Sequence, residues 1–214
     1  MEGKERVLVV CAHPDDEAFG PGGTIARYVK EGKHVSVVIF SFGEKSHLWL
    51  QEKYSAQMRK KEHQEAKKVL GYDKSYVLGV EEGRFDAEKL RVKQDLMKIM
   101  RSERPNKIFT HNIYDPHPDH KMVYIILTDV CHDLDYRGEI FMFDVWNVLN
   151  LRRISKPMLY VDISDTFKTK LEALGCFRSQ WSAMLVLLWS VYSSAIVHGI
   201  SHGSRFAERF YKAR

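Results

Sequence analysis

Short apolar, β-branched runs alternate with amphipathic stretches along most of the chain. The runs predict strands at residues 7–11, 35–40, 75–78, 107–110, 140–146 and 159–162, and the amphipathic stretches predict helices at 24–31, 48–70, 89–102 and 121–134. Repeated strand–helix–strand units imply parallel strands covered by helices. We therefore expect an α/β protein with a Rossmann-like, doubly wound, mostly parallel sheet and helices on both faces. Since no linker or internal repeat interrupts the 214 residues, we expect one domain over residues 1–214.

Two short segments rich in histidine and aspartate follow two of these strands. Residues 12–17 (Ala-His-Pro-Asp-Asp-Glu) leave the first strand, and residues 115–120 (Asp-Pro-His-Pro-Asp-His) leave the fourth. In a doubly wound sheet, ligands bind beyond the carboxyl ends of the strands, where the strand order reverses. A strand order of 3-2-1-4-5 would bring the two segments side by side, so we expect them to form one site.

The residue types in these segments are those of a divalent metal site. We predict that His13, Asp16 and His120 are ligands, because two imidazoles and a carboxylate suit one Zn²⁺ ion and leave a coordination position open for water. The same donors also serve non-haem iron, and other divalent metals are possible. In the competing interpretation, Asp15 and Asp16 only cap the following helix. The remaining histidines without a partner at ligand spacing are expected to be exposed or structural: His34, His63, His132, His198 and His202.

Two further side chains are candidates for acid–base chemistry. Asp15 is next to a predicted ligand but should project differently, which makes it a candidate general base for a metal-bound water. His117 precedes His120 by three residues and could stabilise an oxyanion or protonate a leaving group, with Asp115 or Asp119 orienting its ring. The alternative for His117 is an exposed loop histidine. The proton donor to the leaving group stays open between Asp15 and His117.

Charge distribution and cysteine content indicate which partners and which cellular compartment to expect. The net charge is +5, but lysines and arginines are scattered among glutamates and form no basic stripe with aromatics, so we expect no nucleic-acid partner. The three cysteines are far apart in apolar surroundings and are expected to be buried thiols: Cys11, Cys131 and Cys176. The start of the chain has no apolar signal region. Both features favour a cytoplasmic protein.

The apolar, aromatic-rich segment 181–197 is too short and too interrupted to predict a membrane span. A core or subunit-interface helix is the favoured interpretation, with a substrate lid or a membrane contact as alternatives. We therefore expect a homo-oligomer without a transmembrane span.

Taken together, residues 12–17 and 115–120 resemble the motifs of the PIG-L/LmbE-like zinc-dependent N-acetylglucosaminyl deacetylases. Weaker similarity extends over almost the whole chain: Ser41-Phe42-Gly43-Glu44, Arg59, Glu62, Ala66, Leu70-Gly71, Lys170, Ser179-Gln180 and Phe206 to Phe210. The resemblance implies an LmbE-like domain whose function is to remove the acetyl group from a small molecule that contains N-acetylglucosamine.

The resemblance also implies a role for each site residue. The three predicted ligands would hold one zinc ion, and Asp15 would be the general base. His117, supported by Asp119, would stabilise the tetrahedral oxyanion. Arg59 matches a family arginine that reaches the substrate. The alternative, given the lysines beside it, is a solvated helix face.

Other functions remain compatible with these residues. The metal could serve hydrolysis of a different amide or oxygen activation by ferrous iron, and the chain could also be a non-catalytic carbohydrate-binding or scaffold protein on the same fold. The substrate stays open among free N-acetylglucosamine, chitin-derived disaccharides and N-acetylglucosamine linked to inositol, malate or lipid.

Overall fold

A seven-stranded sheet forms the centre of the part of the protein that the computed structural model describes, residues 4–43, 52–145 and 156–213. Its strands are β1 (Arg6–Cys11), β2 (His34–Ile39), β3 (Lys74–Val77), β4 (Lys107–His111), β5 (Glu139–Phe143), β6 (Met158–Asp162) and β7 (Ala207–Lys212). The spatial order is β3-β2-β1-β4-β5-β7-β6. The first five strands pair in parallel, and β7 runs antiparallel to β5 and β6. The predicted Rossmann-like sheet and the order 3-2-1-4-5 are confirmed.

Helices cover both faces of the sheet, as predicted: α1 (Asp16–Phe19), α2 (Gly22–Lys30), α3 (Glu52–Leu70), α4 (Lys89–Glu103), α5 (Pro118–Asp133), α6 (Phe167–Leu174) and α7 (Trp181–His202). Successive side chains of a strand point to opposite faces. Val7 and Val9 of β1 therefore pack in the core with α2, α3, α6 and α7, whereas Leu8 and Val10 pack in the core with α4 and α5. Burial on both faces explains the continuous apolar runs of the central strands. None of the helices in the described ranges is long and apolar enough to cross a membrane.

The strand β7 is the main element that the sequence pattern does not predict. Charged residues interrupt its apolar pattern, but one of them is buried and serves the fold. The carboxylate of Glu208 accepts hydrogen bonds from the backbone N–H groups of Gly23 (2.9 Å) and Thr24 (2.8 Å) at the start of α2, and from Nζ of Lys170 (2.6 Å). The charged Glu208, which in the sequence suggests an exposed turn, therefore connects β7 to α2 and α6 inside the protein.

The ends of some strands and helices, and the burial of one cysteine, differ from the sequence predictions. The strand predicted at 140–146 ends at Phe143, and Trp146 lies outside the described residues. The helix predicted from residue 48 is described from Glu52 onward, since residues 44–51 lie outside. Cys11 and Cys131 are buried as expected, but Cys176 is partly exposed.

A buried carboxylate ties together the amino ends of three strands. Glu103, only 2% exposed, closes α4 and accepts hydrogen bonds from side chains of β1, β2 and β3: Arg6 (3.0 Å), His34 (2.9 Å), Ser36 (2.9 Å), Lys74 (2.8 Å) and Tyr76 (2.6 Å). Burial alone would raise the pKa of Glu103, but the hydrogen bonds from Lys74, Tyr76 and His34 lower it from 4.5 to about 2. The folded protein therefore stabilises the charged form of this carboxylate.

We expect Glu103→Gln to lower the free energy of unfolding by about 3 kcal/mol at pH 7. Because the pKa of Glu103 is lower in the folded state, its contribution is complete above the unfolded value of 4.5 and is lost as the pH falls toward about 2. Urea denaturation at pH 7, 5 and 3 should show that the difference in free energy of unfolding between wild type and Glu103→Gln becomes smaller as the pH falls. Glu139→Gln, which removes a half-exposed pair with Lys212, is the control and should cost less than about 1 kcal/mol. A difference that does not change with pH would contradict this assignment.

Candidate metal centre

The two histidine- and aspartate-rich segments meet at the carboxyl ends of β1 and β4, which are neighbours in the sheet. The side chains of His13, Asp16 and His120 are buried, and each offers a ligand atom within 4.8 Å of the other two. The fold thus brings together the three residues that the sequence predicts as metal ligands.

The distances within this group fit a small cation. Nε2 of His120 lies 3.4 Å from Oδ1 of Asp16, and Nδ1 of His13 lies 3.9 Å from Oδ2 of Asp16. Ligand atoms bound at about 2.0–2.1 Å around a tetrahedral zinc ion are about 3.3 Å apart. In the described part of the chain, neither ring nitrogen of His120 makes a hydrogen bond of normal geometry, although both are buried. A metal ligand role would satisfy such a nitrogen, so the donor set fits one divalent ion.

Carboxylates hold the far side of both imidazoles. Oδ1 of Asp115 lies 3.1 Å from Nδ1 of His120, and Oδ2 of Asp119 lies 3.2 Å from Nε2 of His13. Metal-binding histidines usually face a carboxylate or carbonyl in this way, which orients the ring and leaves the other nitrogen for the ion. Burial alone would lower the pKa of His120, but the charges of Asp16 and Asp115 raise it to about 10. Metal binding here would have to displace a proton.

Asp119 therefore has a different partner from the one expected. The sequence interpretation pairs its carboxylate with His117, whereas the structure places that carboxylate against His13. What Asp119 gives to His117 is its backbone N–H, which donates to Nδ1 of the ring at 3.2 Å. The reason is that His117 is the N-cap of α5, so its ring faces the first turn of that helix.

The cap contact defines the hydrogen-bonding state of His117. Because Nδ1 accepts a hydrogen bond, the proton of the neutral ring is on Nε2. Burial, with the charges of His120 and His13, lowers the pKa of His117 and favours this neutral form. The ring is half-buried, with its centroid 5.3 Å from that of His13. The ring therefore lies half-buried beside the candidate metal centre with Nε2–H available to donate, unlike an exposed loop histidine.

Asp15 is buried beside the same centre. Its side chain makes no capping hydrogen bond to α1, which argues against the simple capping interpretation. Burial raises its pKa well above the ordinary value, Arg59 opposes that rise, and the charges of Asp16 and Glu17 add to it. A carboxylate with a raised pKa is a better proton acceptor.

Arg59 lies inside the protein and not on a solvated helix face. It is 3% exposed, and its Nη2 donates to the carbonyl oxygen of Pro14 (2.6 Å) and to Oδ2 of Asp15 (3.3 Å). Nη1 donates to the carbonyl oxygen of Gly43 at 3.4 Å. The guanidinium therefore joins the segment after β1 to the segment after β2, next to Asp15.

The sequence interpretation misses His111, the last residue of β4. It is fully buried, its Nε2 accepts a hydrogen bond from the backbone N–H of Ala12 (3.0 Å), and the same nitrogen lies 3.2 Å from Oδ2 of Asp16. The ring stacks on His120 with centroids 3.8 Å apart. Burial, with the charge of His120, lowers the pKa of His111 to about 4, so the ring is neutral at pH 7. Its position at a strand end, four residues before Asp115, is the signal that could have identified it.

Comparisons with known proteins identify the family of the chain. The PIG-L description, GlcNAc-PI de-N-acetylase, matches residues 8–131. A probable N-acetyl-alpha-D-glucosaminyl L-malate deacetylase 2 from Bacillus cereus is 27% identical over 190 residues, which is 85% of this chain and 86% of that protein. The N,N'-diacetylchitobiose deacetylase from Pyrococcus horikoshii superposes with a TM-score of 0.82 and 27% identity over 97% of this chain and 83% of its own.

The fold alone does not determine the reaction. The 4-carboxy-2-hydroxymuconate hydratase from Pseudomonas putida KT2440 superposes with a TM-score of 0.84 over 98% of this chain and 96% of its own, at only 18% identity. The family match, in contrast, covers both segments that build the candidate metal centre. The chain belongs to the PIG-L family.

Proposed function

We propose that the chain is a zinc-dependent hydrolase that removes the acetyl group from a small molecule containing N-acetylglucosamine. The observation that carries the proposal is the buried group His13, Asp16 and His120, with Asp15 and His117 beside it. Membership of the PIG-L family and the deacetylase names of the two relatives at 27% identity support this choice over other reactions on the same fold.

Each residue has a distinct proposed task. A divalent cation held by the three ligands would polarise the acetyl carbonyl and lower the pKa of a nearby water. Asp15 accepts a proton from the water while the oxygen of that water attacks the carbonyl carbon. Nε2–H of His117 donates a hydrogen bond to the carbonyl oxygen while negative charge develops on it. Arg59 holds Asp15 in place and is also proposed to reach the substrate.

The cap contact favours Asp15 as the proton donor to the leaving nitrogen. His117 accepts a hydrogen bond at Nδ1, so its neutral ring carries one proton, on Nε2. A neutral imidazole is a hydrogen-bond donor and a very weak acid. We therefore propose that the proton taken up by Asp15 passes to nitrogen as the C–N bond breaks, which leaves acetic acid and the free amine.

Acetate release tests the reaction and the metal together. We expect the protein with one equivalent of Zn²⁺ to release acetate from at least one of N-acetylglucosamine, diacetylchitobiose and N-acetylglucosamine linked to malate or inositol. Chelation should abolish release, and added Zn²⁺ should restore it. Oxygen consumption with ferrous iron and no acetate would contradict the proposal. Glycan binding without turnover by the zinc-loaded protein would favour the non-catalytic alternative.

Variants of Asp15 and His117 test the division of tasks. We expect Asp15→Asn to lower kcat by about 10²–10⁴-fold and His117→Ala by about 10²–10³-fold, with KM little changed and one zinc ion retained. The deficit of His117→Ala should persist with 4-nitrophenyl acetate, whose leaving group needs no proton. If the deficit disappears with that ester, His117 is the proton donor instead. His132→Ala, at the exposed end of the same helix, is the control.

We also propose that the protein is a cytoplasmic homo-oligomer that pairs through α7. Four exposed apolar side chains of this helix recur at three- and four-residue spacing and share one face: Trp189, Tyr192, Ile196 and Ile200. The 22 residues of α7 include no aspartate, glutamate, lysine or arginine, so a second copy of the helix would bury no charge. Large contiguous apolar patches are rare on monomers. The three widely spaced thiols support the cytoplasmic location.

Light scattering after size-exclusion chromatography tests the pairing. The wild type should elute as a multiple of 25.0 kDa, and Trp189→Glu or Ile200→Glu should shift it toward the monomer by placing charges in the interface. Leu90→Glu is the matched control, because Leu90 on α4 is 73% exposed but isolated from this face. A monomeric wild type, or a mass unchanged in both α7 variants, would contradict the proposal.

A further inference from the structure

Asp15 has an unusual backbone conformation for an L-residue. Its φ is 107°, outside the left-handed helical region that Arg104 (46°) and Asp135 (45°) occupy. Such a conformation is energetically unfavourable and persists only when surrounding contacts impose it. The contacts that impose it are therefore part of how the centre is built.

A buried glutamate binds the backbone of Asp15 directly. The N–H of Asp15 donates to Oε2 of Glu17 at 2.9 Å, while its carbonyl oxygen accepts from the N–H groups of Ala18 (2.9 Å) and Phe19 (2.8 Å). Glu17 is fully buried. A buried carboxylate needs compensating partners, and one backbone N–H is not enough.

The second partner of Glu17 comes from α3. Its Oε1 lies 2.9 Å from Nδ1 of His63, which is also fully buried. Nε2 of His63 lies 2.7 Å from the hydroxyl of Ser75 on β3, and the hydroxyl of Tyr72 lies 3.4 Å from the same nitrogen. A line of hydrogen bonds thus runs from the backbone of Asp15 through Glu17 and His63 to β3.

We propose that Glu17 and His63, here called the Glu17–His63 clamp, are positioning residues that hold Asp15 in its strained conformation and aim its carboxylate at the attacking water. This role rests on the proposed function, in which Asp15 is the proton acceptor. Glu17 binds the N–H of Asp15 directly, and His63 on α3, which contacts Ser75 on β3, holds the carboxylate of Glu17 in position. Its loss should therefore impair turnover and spare substrate binding, because a misplaced reacting group costs rate.

The protein contains a matched polar group that makes a good control. His34 and Ser36 on β2 bind the buried carboxylate of Glu103, with 2.9 Å from Nε2 of His34 to Oε2 and 2.9 Å from Oγ of Ser36 to Oε2. Like the clamp with Ser75, this cluster consists of a glutamate, a histidine and a serine. It lies at the amino ends of the strands, away from the candidate metal centre.

The experiment compares His63→Gln with His34→Gln. Both variants should lose stability in urea denaturation, but only His63→Gln should lower kcat, by about 10–100-fold, with KM within about twofold and one bound Zn²⁺ retained. Glu17→Gln should keep more activity than Glu17→Ala, because its amide oxygen can still accept from the N–H of Asp15. Should His63→Gln fail to fold, Ser75→Ala with Ser36→Ala as control makes the same comparison with a milder change.

Hydrogen exchange at the Asp15 amide, measured by NMR, tests the clamp independently of activity. Exchange should be slow in the wild type and in His34→Gln, and faster in His63→Gln and Glu17→Ala. Equal losses of kcat in the two histidine variants, or loss of zinc together with kcat, would overturn the proposal. If the wild type releases no acetate, the proposed function fails, yet unchanged exchange in His63→Gln would still overturn the clamp and faster exchange would support it.

Discussion

The parallel pairing of β1 with β4 is the constraint on which the site depends. These strands are neighbours in the sheet although residues 12–106 separate them in the chain, and their register runs from Val7 with Lys107 to Val10 with Thr110. At this pair the strand order reverses, so the connections that leave the two strands diverge and open a crevice. The backbone N–H of Ala12 then donates to the ring of His111, which continues the contact between the two chain segments one step beyond the ladder. A slip of this register would separate the two halves of the candidate metal centre.

Electrostatics then distinguishes the two neighbouring aspartates of this crevice. Asp16 is buried next to three imidazoles, and although burial raises the pKa of a carboxylate, the charge of His120 lowers the pKa of Asp16 well below its ordinary value. Asp15, its neighbour in sequence, has a raised pKa under the same burial, because only Arg59 strongly opposes the effect. Two adjacent aspartates thus differ in their affinity for protons, which is the property that a ligand and a base require.

The sequence predicts the parts of this site that depend on local order. Strand exits and residue spacing identify the two segments, and the confirmed strand order brings them together. The PIG-L family is also confirmed, whereas the individual roles of His13, Asp15, Asp16, His117 and His120 stay predictions. The contacts of His63 and Glu208 cannot be predicted from the local sequence, because their partners are distant in the chain and a charged or polar residue gives no local sign that it is buried. Asp119 shows a related limit: its backbone and its carboxylate serve different histidines, which spacing alone cannot separate.

The sheet order has a consequence for how the protein folds. β6 precedes β7 in the chain, yet β7 lies between β5 and β6 and is the strand to which β6 is hydrogen-bonded. β6 therefore cannot join the sheet until β7, which follows it in the chain after α6 and α7, is available to pair with it. Strand pairing over such a long sequence separation slows folding. In any folding intermediate that lacks β7, β6 is an unpaired strand whose exposed backbone groups favour aggregation.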